Sequence, residues 1–305
     1  MLTAMTLGNF DGLHLGHQKL LASMKAWKAN QKVPVNCAAM TFEPHPREVL
    51  SGQKVLRLNS PEQKIKILKQ FGIDEVQVIK FDKEFSQKSA DDFLNFLIRQ
   101  QKFPVSYLSV GSNFFFGRNR EGDSEFLKSW CEKRSIQLDL VPALEMGGNN
   151  ISSSRIRNCL FEGNVKAAAE LLGRNYSFEE TVSHGHRQGH LLGFPTANLI
   201  PPGPNHAYQM CLPNKGVYFT KTTLLETNEV FNSVTNIGVK PTLGDGHPLC
   251  IETHLLNYSG TLYEKRIAVE FIDRIRSEMK FSSLLELREQ IQKDIAFANQ
   301  LLSTI

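Results

Sequence analysis

The stretch Leu2–Ala29, LTAMTLGNFDGLHLGHQKLLASMKAWKA, decides how the first half of the chain is read. Leu2–Leu7 is a short apolar run closed by Gly8. Helical periodicity from His17 to about Ala29 then sets Leu20, Leu21 and Met24 on one side. The same alternation continues outward. Val35–Phe42 is a second strand, closed by the turn-rich Glu43-Pro44-His45-Pro46. Pro61 begins a helix capped by Ser60 and running through Ile65 and Leu68. Glu75–Phe81 is strand-like, and Ser89 caps a helix that buries Phe93, Leu94, Leu97 and Ile98. Val105–Val110, a helix from about Ser124 to Lys133, and a strand at Leu138–Val141 complete the series. This β-α-β-α order predicts a parallel sheet with helices on both faces and ligands beyond the carboxyl ends of its strands.

Helical patterning stops near Leu171-Leu172-Gly173. Thr181–Ser183, Gly216–Thr223, Val230–Ile237, Ile251–Leu256 and Arg266–Ile272 read as short strands between turns, the pattern of a small all-β barrel. Leu284, Leu287, Ile291, Ile295, Ala298 and Leu302 fall at helical steps and mark a terminal amphipathic helix. The boundary is expected near residues 174–180.

Composition narrows the classes. The chain has 305 residues, 41% of them hydrophobic and 22% charged, which is enough apolar material for a packed core and excludes disorder. No apolar run has the length of a membrane span, and Met1–Asp11 lacks the basic region of a signal peptide. Five widely spaced cysteines without Cys-x-x-Cys argue for free thiols in a reducing cytoplasm. A net charge of +4 is too small to imply nucleic acid but suits clefts that hold phosphates.

Three constellations carry chemistry. The first, Gly8-Asn9-Phe10-Asp11-Gly12-Leu13-His14-Leu15-Gly16-His17, lies at a strand-to-helix junction, where free N–H groups and a helix dipole favour phosphate. His14 and His17 project to one side and can donate to charge developing at a phosphorus; Gly16 lets a ligand approach the backbone. The second is Ile151-Ser152-Ser153-Ser154-Arg155-Ile156-Arg157. Its serines can cap a helix or bind phosphate, and Arg157 can clamp the same oxygens. The third lies in the barrel: Gly185, Gly189 and Gly193, then Phe194-Pro195-Thr196-Ala197-Asn198. It reads equally as a phosphate-covering loop with hard oxygen ligands for Mg2+, or as a glycine-rich turn before a strand. Glu252, by spacing alone, reads as a solvated strand residue. In Gly111-Ser112-Asn113-Phe114-Phe115-Phe116-Gly117, the three rings are either core or a seat for an aromatic ligand. There is no Gly-x-x-x-x-Gly-Lys-Ser/Thr, so no P-loop.

In this order the motifs resemble those of the prokaryotic bifunctional riboflavin kinase/FMN adenylyltransferase (FAD synthetase) family. The matching strings are GNFDGLHLGH from Gly8, FEPHPREVL from Phe42, VGSNFFFG from Val110, ISSSRIR from Ile151, GFPTANL from Gly193, NIGVKPT from Asn236, IETHLL from Ile251 and RSEMKFSSLLELREQI from Arg276. The resemblance covers essentially the whole chain. The histidine motif is shared with other nucleotidyltransferases; the Pro-Thr-Ala-Asn string with the tail is more specific to flavokinases.

The resemblance implies an α/β nucleotidyltransferase domain with a Rossmann-like parallel sheet over residues 1–175. A small all-β riboflavin-kinase barrel with a C-terminal helix would follow over 176–305. The barrel would phosphorylate riboflavin with ATP to give FMN. The α/β domain would join AMP from a second ATP to FMN, giving FAD and pyrophosphate. His14 and His17 would act at the α-phosphate, within an ATP/FMN site that includes Gly8, Asn9, Phe10, Asp11, Gly16 and Asn113. Ser153, Ser154 and Arg157 would hold the leaving pyrophosphate. Thr196 and Asn198 would bind Mg2+ with ATP, Gly185, Gly189 and Gly193 would line the ATP/riboflavin site, and Glu252 would accept the hydroxyl proton. Partners would be small molecules, with neither nucleic acid nor membrane, in the cytoplasm. The chain departs from the family pattern at Ser154, usually threonine, at Asn113, often aspartate, and in His184–His190, where Arg187, Gln188 and His190 replace Gly-Arg-Gly-Arg chemistry. Weaker ATP binding in the kinase is the expectation from that loop. Two other readings are a different nucleotidyltransferase, or a chain with only one live activity, and a flavin-binding regulator that kept the fold.

Overall fold

The computed structural model describes residues 1–184, 193–203, 206–239 and 249–302, and the chain divides into two units, Met1–Ser153 and Ser154–Ile305. In the first unit the strands are β1 (Leu2–Leu7), β2 (Val35–Glu43), β3 (Glu75–Lys80), β4 (Val105–Gly111) and β5 (Gln137–Val141). All pairings are parallel, in the order β3-β2-β1-β4-β5. Side-chain alternation divides the core between the sheet's faces. Cys37 and Ala39 join Leu20, Leu21, Met24 and Leu68 on one face, while Met40 and Phe42 join Phe93, Leu97, Leu127 and Trp130 on the other.

The helices begin where the chemistry of their caps predicts. Ser60 makes a reciprocal capping box with Gln63 ahead of Pro61–Gln70, and the Ser89 hydroxyl accepts from the Asp92 N–H ahead of Ala90–Arg99. The first helix, α1 (Leu15–Ala29), starts two residues earlier than its apolar periodicity indicated, because His14 is its N-cap. A six-residue helix, Pro46–Ser51, begins at the end of the Glu43–Pro46 turn, where no element was expected.

The strand order reverses across β1, whose neighbours β2 and β4 lead to opposite edges of the sheet. Such a switch point opens a crevice at the carboxyl ends of the two diverging connections. Those ends are Gly8 on β1 and the Gly111–Asn113 turn after β4, so the topology directs the first motif and Asn113 to one edge.

The second unit begins with helices Ser153–Phe161, which spans the division, and Val165–Leu172, ended by Gly173 in the left-handed conformation (φ 68°). Six antiparallel strands then close a barrel: β6 (Tyr176–Ser183), β7 (Ala197–Leu199), β8 (Gly216–Leu224), β9 (Val230–Val239), β10 (Leu249–Leu255) and β11 (Arg266–Arg276). Most strands are longer than expected; β6 starts at Tyr176, not Thr181. Five buried hydroxyls, from Thr220, Thr222, Ser233, Thr235 and Thr253, hydrogen-bond one another inside the barrel. The terminal helix, Leu284–Leu302, packs Ile295, Ala298 and Leu301 on Val217, Phe219 and Val234. Leu284, expected on that apolar stripe, is instead exposed.

Candidate active sites

The chain between β1 and α1 turns sharply. Phe10 (φ 47°), Gly12 (φ 82°) and Leu13 (φ 39°) are all left-handed. For the two non-glycine residues this costs about 1 kcal/mol or more each. Phe10 and Leu13 are nevertheless fully buried in the core, which anchors the turn from beneath. Hydrogen bonds hold it from the sides. The Asp11 carboxylate accepts from the Leu58 N–H at 2.8 Å, the Thr41 hydroxyl donates to the Asn9 carbonyl at 3.2 Å, and the Ser153 hydroxyl donates to the Asp11 carbonyl at 2.8 Å.

This rigid turn delivers the histidine pair. His14 Nδ1 accepts from the His17 N–H at 3.4 Å, capping α1. The two imidazoles stack with centroids 3.7 Å apart at 18°, and the Phe10 ring meets His17 edge-on at 5.3 Å. Gly16 permits this, since a Cβ there would stand 3.1 Å from the His14 ring. The first turn of α1 holds no acidic residue, so the helix supplies no carboxylate of its own against the positive end of its dipole. Behind the turn lies a buried lysine, Lys64, 3.4 Å from the Thr41 hydroxyl. Burial holds its amine below the ordinary lysine value, with Asp11 and Glu43 pulling it back up. Stacked imidazoles, a helix N-terminus without acidic residues in its first turn and a buried cation together make an environment suited to a phosphate chain.

Beyond β4, the Ser112 N–H donates to the Val141 carbonyl and the Phe114 N–H to the Gly111 carbonyl, both at 2.9 Å. That turn leaves Asn113 exposed. The three phenylalanines divide: Phe116 is core and stacks on half-buried Phe114, while exposed Phe115 lies under the Arg120 guanidinium at 4.4 Å. The serine motif does not precede its helix but begins it, at Ser153. Ser154 and Arg157 lie on the same helix within the second unit.

In the barrel, strand register assembles the second site. Asn198 on β7 stands opposite Glu252 on β10, and Glu252 stands opposite Asn236 on β9. Directly paired residues share a face, so the three side chains form a row across adjacent strands. Ile251 and Thr253 are fully buried, Thr253 among the inner hydroxyls, which turns Glu252 to the opposite, outer face. Thr196 immediately precedes β7, and Gly193 takes a φ of +84° that suits glycine. Gly185 and Gly189 lie outside the described residues. A hydroxyl, an amide oxygen and a carboxylate are hard donors, and this donor set fits Mg2+ shared with substrate phosphates. Among the described residues no cluster of three His, Cys, Asp or Glu side chains makes a self-sufficient metal site. Sequence reading gave no role to Asn236 or His254, although both lie in the motif strings; their signal is the register, which no linear string displays. Cys250 also borders this row, its Sγ 3.7 Å from Asn198 Oδ1.

Comparison with known proteins gives two successive matches. The family model for FAD synthetase matches residues 2–155, and that for riboflavin kinase matches residues 172–302. A bifunctional riboflavin kinase/FMN adenylyltransferase from Buchnera aphidicola is 36% identical over 99% of this chain and 95% of its own length. Its counterparts in Bacillus subtilis and Escherichia coli K12 are 36% and 34% identical, over 96% and 95% of this chain and 90% of each relative. The crystal structure of a Streptococcus pneumoniae protein described as a macrolide-efflux protein superposes with a TM-score of 0.84 at 26% identity, covering 97% of this chain and 94% of that one. Among the described residues no helix is long and apolar enough to cross a membrane.

Proposed function

The chain belongs to the bifunctional riboflavin kinase/FMN adenylyltransferase family, and on that premise we propose how its residues divide the two reactions. Its activity is ATP-dependent phosphorylation of riboflavin to FMN and adenylylation of FMN to FAD. In the adenylyltransferase unit, His14 and His17 hold the α-phosphate of ATP and donate to the charge that develops there as the FMN phosphate attacks in line. The observation that carries this reading is the stacked imidazole pair at the N-terminus of α1, whose first turn holds no acidic residue. Stacking restrains both rings before substrate arrives, so little reorganisation remains for the transition state. Gly8, Asn9, Phe10, Asp11 and Gly16 shape the seat, and Asn113 stands at the end of the neighbouring strand. Ser153 contributes a hydroxyl bound to the same turn. Ser154 and Arg157 are assigned to the pyrophosphate on the family motif alone.

In the kinase barrel, Glu252 takes the proton from the ribityl 5′-hydroxyl, and Thr196 and Asn198 hold Mg2+. The metal supplies charge neutralisation on the ATP phosphates when bound. The adjacency of Asn198 and Glu252 in the β7–β10 ladder supports this assignment. Gly193, with Gly185 and Gly189 by motif, lines the ATP/riboflavin site. The setting is cytoplasmic, in keeping with five free cysteines.

Separation of flavins by chromatography tests the division. His14→Ala or His17→Ala should lower FAD formation from added FMN by about a hundredfold or more, the usual cost of one well-aimed donor, while FMN formation continues. Glu252→Gln should do the reverse, because it removes the base and keeps the shape. FAD at the wild-type rate from either histidine variant, or FMN at the wild-type rate from Glu252→Gln, removes that residue from its assigned role.

A further inference from the structure

The β7–β10 ladder ends at the pair Ala197–Thr253. One step further would place Thr196 opposite His254, but Pro195 has no N–H with which to continue the pairing. The side chain of His254 takes over at that point. Its Nδ1 lies 2.8 Å from the Pro195 carbonyl oxygen, and since a carbonyl only accepts, Nδ1 carries the proton and donates. The Phe194 ring meets the same imidazole edge-on at 5.6 Å.

This contact governs one degree of freedom. The Pro195 ring already fixes φ, leaving ψ to orient the Pro195–Thr196 peptide plane. Anchoring the carbonyl sets that plane, and the plane sets where Thr196 departs toward its hydroxyl. His254 also follows Glu252 by two residues, so both side chains rise from one face of β10.

We propose that His254 is a positioning residue of the kinase: its Nδ1–H holds the Pro195–Thr196 peptide so that Thr196 and Asn198 stay in register with Glu252 for binding Mg2+ and ATP. The proposal rests on the assignment of Thr196, Asn198 and Glu252 made above.

Two substitutions separate the donor from the ring. His254→Phe keeps an aromatic ring against Phe194 and removes the donor. His254→Asn places an amide N–H where Nδ1 stood and removes the ring. His254→Phe should raise the KM for Mg2+-ATP in FMN formation about tenfold, in the range expected for a misplaced binding group, with a smaller fall in kcat. His254→Asn should restore most of the loss. Calorimetric titration with Mg2+ and a non-hydrolysable ATP analogue gives a readout without turnover. In His254→Phe one class of sites should weaken and the other, belonging to the adenylyltransferase, should not. FAD formation from added FMN serves as the control for folding and should be unchanged in both variants. An unaltered KM in His254→Phe overturns the proposal, as does a His254→Asn variant no better than His254→Phe. Glu252→Gln, assayed in parallel, tells the two ideas apart. If it keeps kinase activity the site assignment fails; if it loses activity while His254→Phe matches wild type, only the positioning role fails.

Discussion

Arg57 carries two carboxylates on one guanidinium. Its side chain is 3% exposed, Nη2 lies 3.0 Å from Glu43 and 2.8 Å from Glu48, and Nη1 donates to Glu43 as well. Glu43 ends β2, so the cluster ties the sheet to the Pro46–Ser51 helix that follows. Buried charges of this kind stabilise only while every partner is present; removing one leaves the others desolvated and unpaired. Arg57→Leu should therefore destabilise the adenylyltransferase unit by about 3–5 kcal/mol, read from denaturant unfolding. A pH dependence follows from Glu48. Burial pushes its carboxyl up, but the Val55 N–H and Arg57 outweigh this and hold it below its ordinary value of 4.5. A depressed carboxylate contributes stability above its unfolded value, and that contribution fades as pH falls through the folded one. Glu48→Gln should thus lower the melting temperature most near neutral pH, and its deficit should shrink below about pH 4.5. A deficit that stays constant into acid would show that packing, not charge, is what Glu48 supplies.

The elements repeat this logic on a larger scale. The terminal helix is pinned to β11 by Arg276, whose Nε and Nη2 reach the buried Asp294 carboxylate at 3.0, 3.1 and 2.8 Å. Ala298, one turn on, is fully buried against the barrel. Asp294→Ala leaves Arg276 unpaired and should cost about 3–5 kcal/mol. Thermal inactivation of FMN formation should accelerate accordingly, and an unchanged half-life would show that apolar packing alone holds the helix. The same helix shows why some features escape sequence reading. Its apolar spacing was plain, yet Leu284 is exposed because contact with the barrel begins only in the later turns. The Pro46–Ser51 helix buries no residue, so it left no periodic trace. Tyr176 and Phe178 both belong to β6, but Glu179 and Glu180 break the alternation that would have extended the strand back to them. By contrast, the βα alternation and the caps at Ser60 and Ser89 were readable, since caps and periodicity act within a few residues. His17 was recognised as chemistry, but its stacking on His14 depends on three left-handed residues that no local pattern announces. The row Asn198–Glu252–Asn236 depends on register across three strands, which is a property of the closed barrel.

At the scale of the whole molecule, each unit has its own core, and the proposed catalytic side chains of the two reactions fall in different units. His14 and His17 stand at the start of α1 in the parallel-sheet unit, and Glu252 on β10 of the barrel. The product of one reaction is the substrate of the other, so the chain needs only FMN, not a shared transition state, to connect them. Defects in the two units should therefore complement in solution. Given riboflavin, Mg2+ and excess ATP, His17→Ala alone should stop at FMN, and Glu252→Gln alone should leave riboflavin unchanged. A mixture of the two should form FAD after a lag, at a rate that follows the FMN released by the first variant. Added FMN should abolish the lag. If the mixture accumulates FMN and makes no FAD while Glu252→Gln still converts added FMN, the FMN made by a chain does not become available to its neighbours. Formation of FAD by the mixture establishes the opposite: the two activities are joined by covalent linkage and a diffusing intermediate, and each histidine or glutamate acts only within its own unit.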